Sequence, residues 1–169
     1  HLSQIISEKE QVEALHGCTS TEYLDQNDFL GADLIAVHWT FCNESDVARL
    51  AETGTWLGHC PSSMSAKGPP PLPMRAILDH GVKIVLGTDN MTEDMFQALK
   101  IGSIVHRGGH GGGVDPSPRA TLDAATRNAA RALGRDADLG SLEAGKKADL
   151  IILDLNQAHL RPVINLVSN

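Results

Sequence analysis

Three short apolar runs constrain this chain more than any other feature: DLIAVH (33–38), TWLGHC (55–60) and VKIVLGT (82–88). Each is β-branched or aliphatic and has turn chemistry on both sides, so each predicts a strand. None alternates cleanly between apolar and polar residues, which predicts strands covered on both faces, as in parallel sheets. Helical spacing lies between them. Residues 45–53 and 73–80 carry apolar side chains at helical intervals, and each stretch stops at a glycine, Gly54 or Gly81. Ser7-x-x-Glu10 and Thr19-x-x-Glu22 have capping-box spacing and predict two short helices ahead of the first strand. Strand and helix in alternation predict a parallel α/β fold.

The texture changes after Asp89. A helix is predicted over about 93–106, and the Gly-rich RGGHGGGVD (107–115) reads as a flexible loop. Ser117-Pro118 supplies an N-cap and a first-turn proline for an Ala-rich helix ending at Leu133. LGSLEAGKKADLIILDL then turns on Gly140 and Gly145 into a further strand, Leu150 to Leu155. His1 begins with no strand before it and RPVINLVSN stops without a terminator, so the chain reads as a piece of a larger domain.

Composition narrows the function classes. Hydrophobic residues at 41% predict a globular domain, and 169 residues suffice for one sizeable core. Aromatics at 4% argue against stacking on single-stranded nucleic acid, and a net charge of -7 without a basic stripe argues against nucleic acid or an anionic membrane. No apolar run reaches the roughly 20 residues of a membrane span. No signal-peptide pattern opens the chain, and its three cysteines (Cys18, Cys42, Cys60) form no C-x-x-C, so a reducing cytoplasm is expected.

Polar groups sit where the strands end. His38 closes the first run, His59 nearly closes the second, and Asp89 follows the third. The C-terminal ends of parallel strands form the mouth where catalytic groups gather. Imidazole nitrogen and carboxylate oxygen are also the donors a catalytic zinc takes when it keeps a position open for water. The residues alone admit a plainer reading, with hydrogen-bonded structural histidines and Asp89 capping the next helix. Asn90 either contacts a substrate at the mouth or caps that helix. Thr92 falls in the same stretch, and SSMSAKGPPPLP (62–73) is placed for a pocket rim. His16, His80 and His159 read as surface residues, His106 and His110 as part of a mobile loop, and the cysteines as small buried hydrophobes.

HCPSS (59–63), GVKIVLGTD (81–89), DAATRNAARALG (123–134) and LGSLEAGKKADLIILD (139–154) resemble, in this order, the amidohydrolase superfamily, and within it the cytosine/guanine deaminase and triazine-hydrolase branch. The resemblance implies the C-terminal half of a (β/α)8 barrel of TIM type over residues 1–139. Residues 140–169 would begin the return into a small β-sandwich. It implies one divalent metal, zinc first and iron second, with His1 and Asp89 among its ligands. It further implies that Asp89 accepts the proton of an activated water and that His38 hydrogen-bonds the attacked group. His38, Asn90 and His59 become the candidate substrate contacts. The His-x-His pair that completes the family's metal site does not occur in these residues. Gln4 stands where the family's deaminases carry a Glu that shuttles a proton, and an amide cannot act as acid or base near neutral pH. The implied function is hydrolysis of a C–N bond in a small nitrogen heterocycle of purine, pyrimidine or triazine type, with a homo-oligomer compatible with the family. A dechlorinating or amide-hydrolysing relative, or a non-catalytic binding homologue, is the alternative that Gln4 leaves open.

Overall fold

The computed structural model describes residues 1–68, 72–91, 93–107 and 116–168. Each of the three apolar runs contains a strand: β1 (Ile35–Val37), β2 (Trp56–His59) and β3 (Lys83–Leu86). They form one parallel sheet in the order β1-β2-β3, with Ala36 opposite Leu57 and Leu57 opposite Ile84. The chain start lies along the free side of β1. Leu2 bridges to His38 in parallel, its N–H donating to Val37 O at 3.0 Å while the Trp39 N–H donates to Leu2 O at 2.8 Å.

Apart from α4, the helices follow the predicted alternation: α1 (Ile6–His16), α2 (Ser20–Gln26), α3 (Glu44–Thr53), α4 (Pro61–Lys67), α5 (Met74–Asp79) and α6 (Met95–Ile104), then α7 (Pro118–Ala125) and α8 (Arg127–Ala132). Residues 62–73 read as a loop after the second strand, but Pro61 in the first turn starts α4 there and Gly68 ends it. Helix α3 is delimited by local chemistry. Asn43 and Asp46 form a reciprocal capping box, and Gly54 ends the helix at φ 72°, a conformation that glycine adopts without strain. Ser117 caps α7 through the Ala120 N–H, with Pro118 in the first turn as predicted.

Four further expectations change. Helix α1 starts at Ile6, so Ser7 lies inside it and caps nothing. Thr19 does cap α2 through the Glu22 N–H, but the Glu22 carboxylate turns away to Arg49 at 3.1 Å instead of closing the box. The Ala-rich helix breaks at Thr126 (φ -126°, ψ -85°), and Asn128 just beyond donates to Ile84 O at 3.1 Å, tying α8 to β3. Residues 150–155 form no strand. A strand needs a ladder partner, and among the described residues this segment has none, so Ile151 and Ile152 stay exposed. RGGHGGGVD beyond Arg107, Thr92 and residues 69–71 of SSMSAKGPPPLP lie outside the described residues.

The core sits on the helix side of the sheet. Leu57 packs with Val47 and Leu50 of α3, Ile77 of α5 and Trp39, all fully buried. Each such aliphatic side chain contributes about 1.5–3 kcal/mol by leaving water. Trp39 also satisfies its indole N–H on Thr21 Oγ1 at 2.9 Å, so its burial leaves no polar atom unpaired. A second cluster, Leu86 with Ala98 and Ala124, lets α6 and α7 approach β3 closely through small side chains. None of the described helices is long and apolar enough to cross a membrane.

Candidate active site

Four of the expected residues converge at the C-terminal ends of the strands. His38 has φ 72° and Trp39 φ 53°, both left-handed, so the strand alternation stops at this point. The turn brings the His38 ring edge-on to His1, with centroids 4.6 Å apart and planes at 90°. His38 is buried, its Nε2 has no hydrogen-bond partner, and that atom lies 3.8 Å from Asp89 Oδ2. The gap is too long for a hydrogen bond and leaves both groups free toward a third. Asp89 is likewise left-handed (φ 55°) and opens a 3-10 turn, Asp89–Met91, with Oδ1 accepting the Asn90 N–H at 2.7 Å. Gln4 completes the group through a contact of 3.0 Å between its Oε1 and His1 Nδ1. Left-handed conformations at non-glycine residues are uncommon, and functional sites are where folds retain them.

The electrostatics separate these groups. The Asp89 carboxyl lies below its ordinary range, first because of the Ser63 hydroxyl beside it and then because of the Asn90 N–H. The Ser63 Oγ nevertheless makes no hydrogen bond of standard geometry, so it acts here as a nearby dipole. Burial lowers the His38 pKa and outweighs the pull of Asp89. The pair is therefore a neutral imidazole facing a carboxylate at neutral pH.

His59 is not part of this group. It pairs in register with Leu86 and lies on the same face as Leu57, toward the helices. There its Nε2 meets His106 Nε2 at 3.1 Å, both rings buried. Burial pushes the His59 pKa down to about 3 and that of His106 to about 4, so the pair is neutral and shares one hydrogen. His106, expected in a mobile loop, instead supports the end of β2. Asn90 is exposed on the turn beside Asp89. His16 stacks on Tyr23, and all three cysteines are free, with only Cys60 buried.

The sequence placed Ser63 only within a pocket-rim stretch, and it did not point to Glu8 or the His59–His106 pair. Glu8 follows a tight turn at Ser3 (φ 47°) and accepts the Ser3 N–H at 2.7 Å and the Gln4 N–H at 3.0 Å. A cleft of about 600 Å³ among Leu78, Val82, Ile84, Ala120, Ala124 and Asn128 opens on the helix side of the sheet. None of His1, Gln4, His38 or Asp89 lines it, so it is distinct from the strand-end group.

His1 and Asp89 offer an imidazole and a carboxylate, the donor types that zinc accepts, beside the unpartnered His38 nitrogen. Among the described residues no group of three or more His, Cys, Asp or Glu side chains could hold a metal ion. The donors fit a divalent metal in kind and supply part of a coordination set.

The description "amidohydrolase family" matches residues 1–169. A 5-methylthioadenosine/S-adenosylhomocysteine deaminase of Moorella thermoacetica is 33% identical over 100% of this chain and 40% of its own length. The zinc-bound crystal structure of an adenosine deaminase from Xanthomonas campestris superposes with a TM-score of 0.92 at 30% identity, over 99% of this chain and 39% of that one. A zinc complex of an atrazine chlorohydrolase from Arthrobacter aurescens shares the fold, with a TM-score of 0.80 at 22% identity over 99% of this chain and 38% of that one. The chain thus spans about 40% of the length of the curated relative.

Proposed function

The chain belongs to the amidohydrolase family, and from that premise we propose that it forms part of a metal-dependent deaminase acting on adenosine-type nucleosides. The observation that carries the reading is the buried, unpartnered His38 Nε2 facing the ionised Asp89 carboxylate at the strand ends. The parallel sheet, with spatial order equal to chain order, supports the C-terminal half of a (β/α)8 barrel over residues 1–139. Residues 140–169 then begin a separate β-sandwich.

In this reading His1 and Asp89 help to hold one divalent ion, zinc first and iron second. When bound, such an ion supplies the charge that lets water act as a nucleophile near neutral pH. The chain's own groups do the rest. Asp89 accepts the proton of the attacking water, as a carboxylate held ionised can. His38, neutral and buried, offers Nε2 as a hydrogen-bond partner to the attacked ring. A C–O bond forms at the ring carbon, its exocyclic C–N bond breaks, and the proton taken up by Asp89 passes to the departing amino group, which leaves as ammonia. Gln4 orients without transferring a proton. Asn90, exposed on the rim beside Asp89, is a candidate substrate contact. His59 stands behind the wall and supports β2.

The test is ammonia release from adenosine, 5-methylthioadenosine and S-adenosylhomocysteine by the intact protein. Turnover of at least one of them, lost in Asp89→Asn, supports the reading. No release from any of them, by protein that carries metal, contradicts it.

A further inference from the structure

Resting on the metal-dependent reading above, we propose that Gln4 fixes the tautomer of His1, and that Glu8 holds Gln4 in place to do so. The His1 Nε2 lone pair is thereby left free for ligation. The geometry begins at the backbone. The turn at Ser3, buried and left-handed at φ 47°, folds the chain back so that Gln4 lies over His1. The Glu8 carboxylate takes the two consecutive N–H groups of that turn, Ser3 at 2.7 Å and Gln4 at 3.0 Å. Charge-assisted hydrogen bonds of this kind are roughly twice as strong as neutral ones, so the turn is held from within. From the other side the Phe41 N–H donates to Ser3 O at 3.0 Å and ties the turn to the segment after β1.

The side chains carry the consequence. Gln4 Oε1 lies 3.0 Å from His1 Nδ1. An amide oxygen only accepts, so Nδ1 carries the hydrogen and Nε2 keeps its lone pair. The His38 ring, edge-on at 4.6 Å, limits rotation of the His1 ring. Metal-ligating histidines characteristically donate their second N–H to a carbonyl or carboxylate, and losing that partner costs about 10- to 100-fold in metal affinity. Gln4 supplies the orientation that a carboxylate would supply and omits only its proton.

The experiment measures zinc affinity of the intact protein by competition with a chromophoric chelator. Wild type is compared with Gln4→Leu, Gln4→Glu and Glu8→Gln, with imidazole nitrogen shifts read by NMR. Zinc binding is expected to weaken about 10- to 100-fold in Gln4→Leu. It should return to at least the wild-type value in Gln4→Glu, which keeps an acceptor, and fall between the two in Glu8→Gln. The spectra should show His1 protonated at Nδ1 in wild type and as a mixture of tautomers in Gln4→Leu. Wild type that binds one zinc while Gln4→Leu binds it equally well overturns this inference and leaves the functional reading standing. Equal losses in the Leu and Glu variants overturn it too, because packing alone would then explain them. Wild type that binds no zinc overturns the functional reading, and this inference with it.

Discussion

Two groups of histidines lie at the ends of neighbouring strands of the same sheet, and they behave in opposite ways. His59 keeps the strand alternation of Leu57, points to the helix layer and closes on His106 at 3.1 Å. His38 leaves its strand through a left-handed turn, faces His1 and Asp89, and keeps Nε2 without a partner. The residue type is the same and burial is similar, 3% exposed for His59 against 5% for His38. What separates them is the backbone. A polar side chain at a strand end joins the mouth only where the chain breaks the pleat, and otherwise it is absorbed into the packing layer.

The largest expected effect bears on the open group. Asp89→Asn keeps a residue type that tolerates the left-handed turn and removes only the charge. The proposed deamination of adenosine-type nucleosides should fall about 10²- to 10⁴-fold with little change in thermal midpoint. A fall in midpoint that accounts for the lost activity would place Asp89 in the structural group with His59.

The second effect belongs to the closed pair and depends on pH. Both folded pKa values lie below the ordinary histidine value, at about 3 and about 4. Between roughly pH 6.5 and 4 the unfolded chain therefore binds protons that the folded pair refuses, and stability falls as the pH falls. Each refused proton contributes about 1.4 kcal/mol per pH unit in that window. Urea unfolding at a series of pH values should show this slope in wild type and a shallower one in the double variant His59→Leu/His106→Leu. An unchanged slope would remove the pair from the account.

Single substitutions sharpen the same point. His59→Leu or His106→Leu leaves one buried imidazole unsatisfied and should cost about 1–3 kcal/mol. The double variant should cost less than the sum, since no buried partner is stranded. The activity of the folded fraction should change far less than in Asp89→Asn. The smallest effect lies away from both groups. Asn43→Ala removes half of the α3 capping box and should cost about 1 kcal/mol without touching turnover. A large activity loss there would show that the strand-end group responds to any loosening of the fold.

These contrasts also mark what the sequence made legible. The three strands were visible because short apolar runs between turn residues have few other solutions. Gly54 and Ser117-Pro118 were visible because capping chemistry is local. His38, His1, Gln4 and Asp89 were brought to one place by strand ends and by family resemblance together. The His59–His106 pair was missed because it links residues 47 apart in the chain. A hint existed, since His59 shares the parity of Leu57, and that parity assigns it to the helix side. Glu8 was hidden by Ser7-x-x-Glu10, a cap pattern that matched in spacing but sat inside α1. The apolar segment at 150–155 read as a strand from composition, yet a strand exists only with a partner ladder, and sequence supplies the propensity alone.

The most direct measurement of the central claim is metal content by elemental analysis of the intact protein beside an Asp89→Ala variant. The account predicts about one zinc or iron per chain in wild type, and most of it lost in the variant. Wild type without stoichiometric metal, or a variant that retains all of it, would contradict the reading of the strand-end group as a hydrolytic centre.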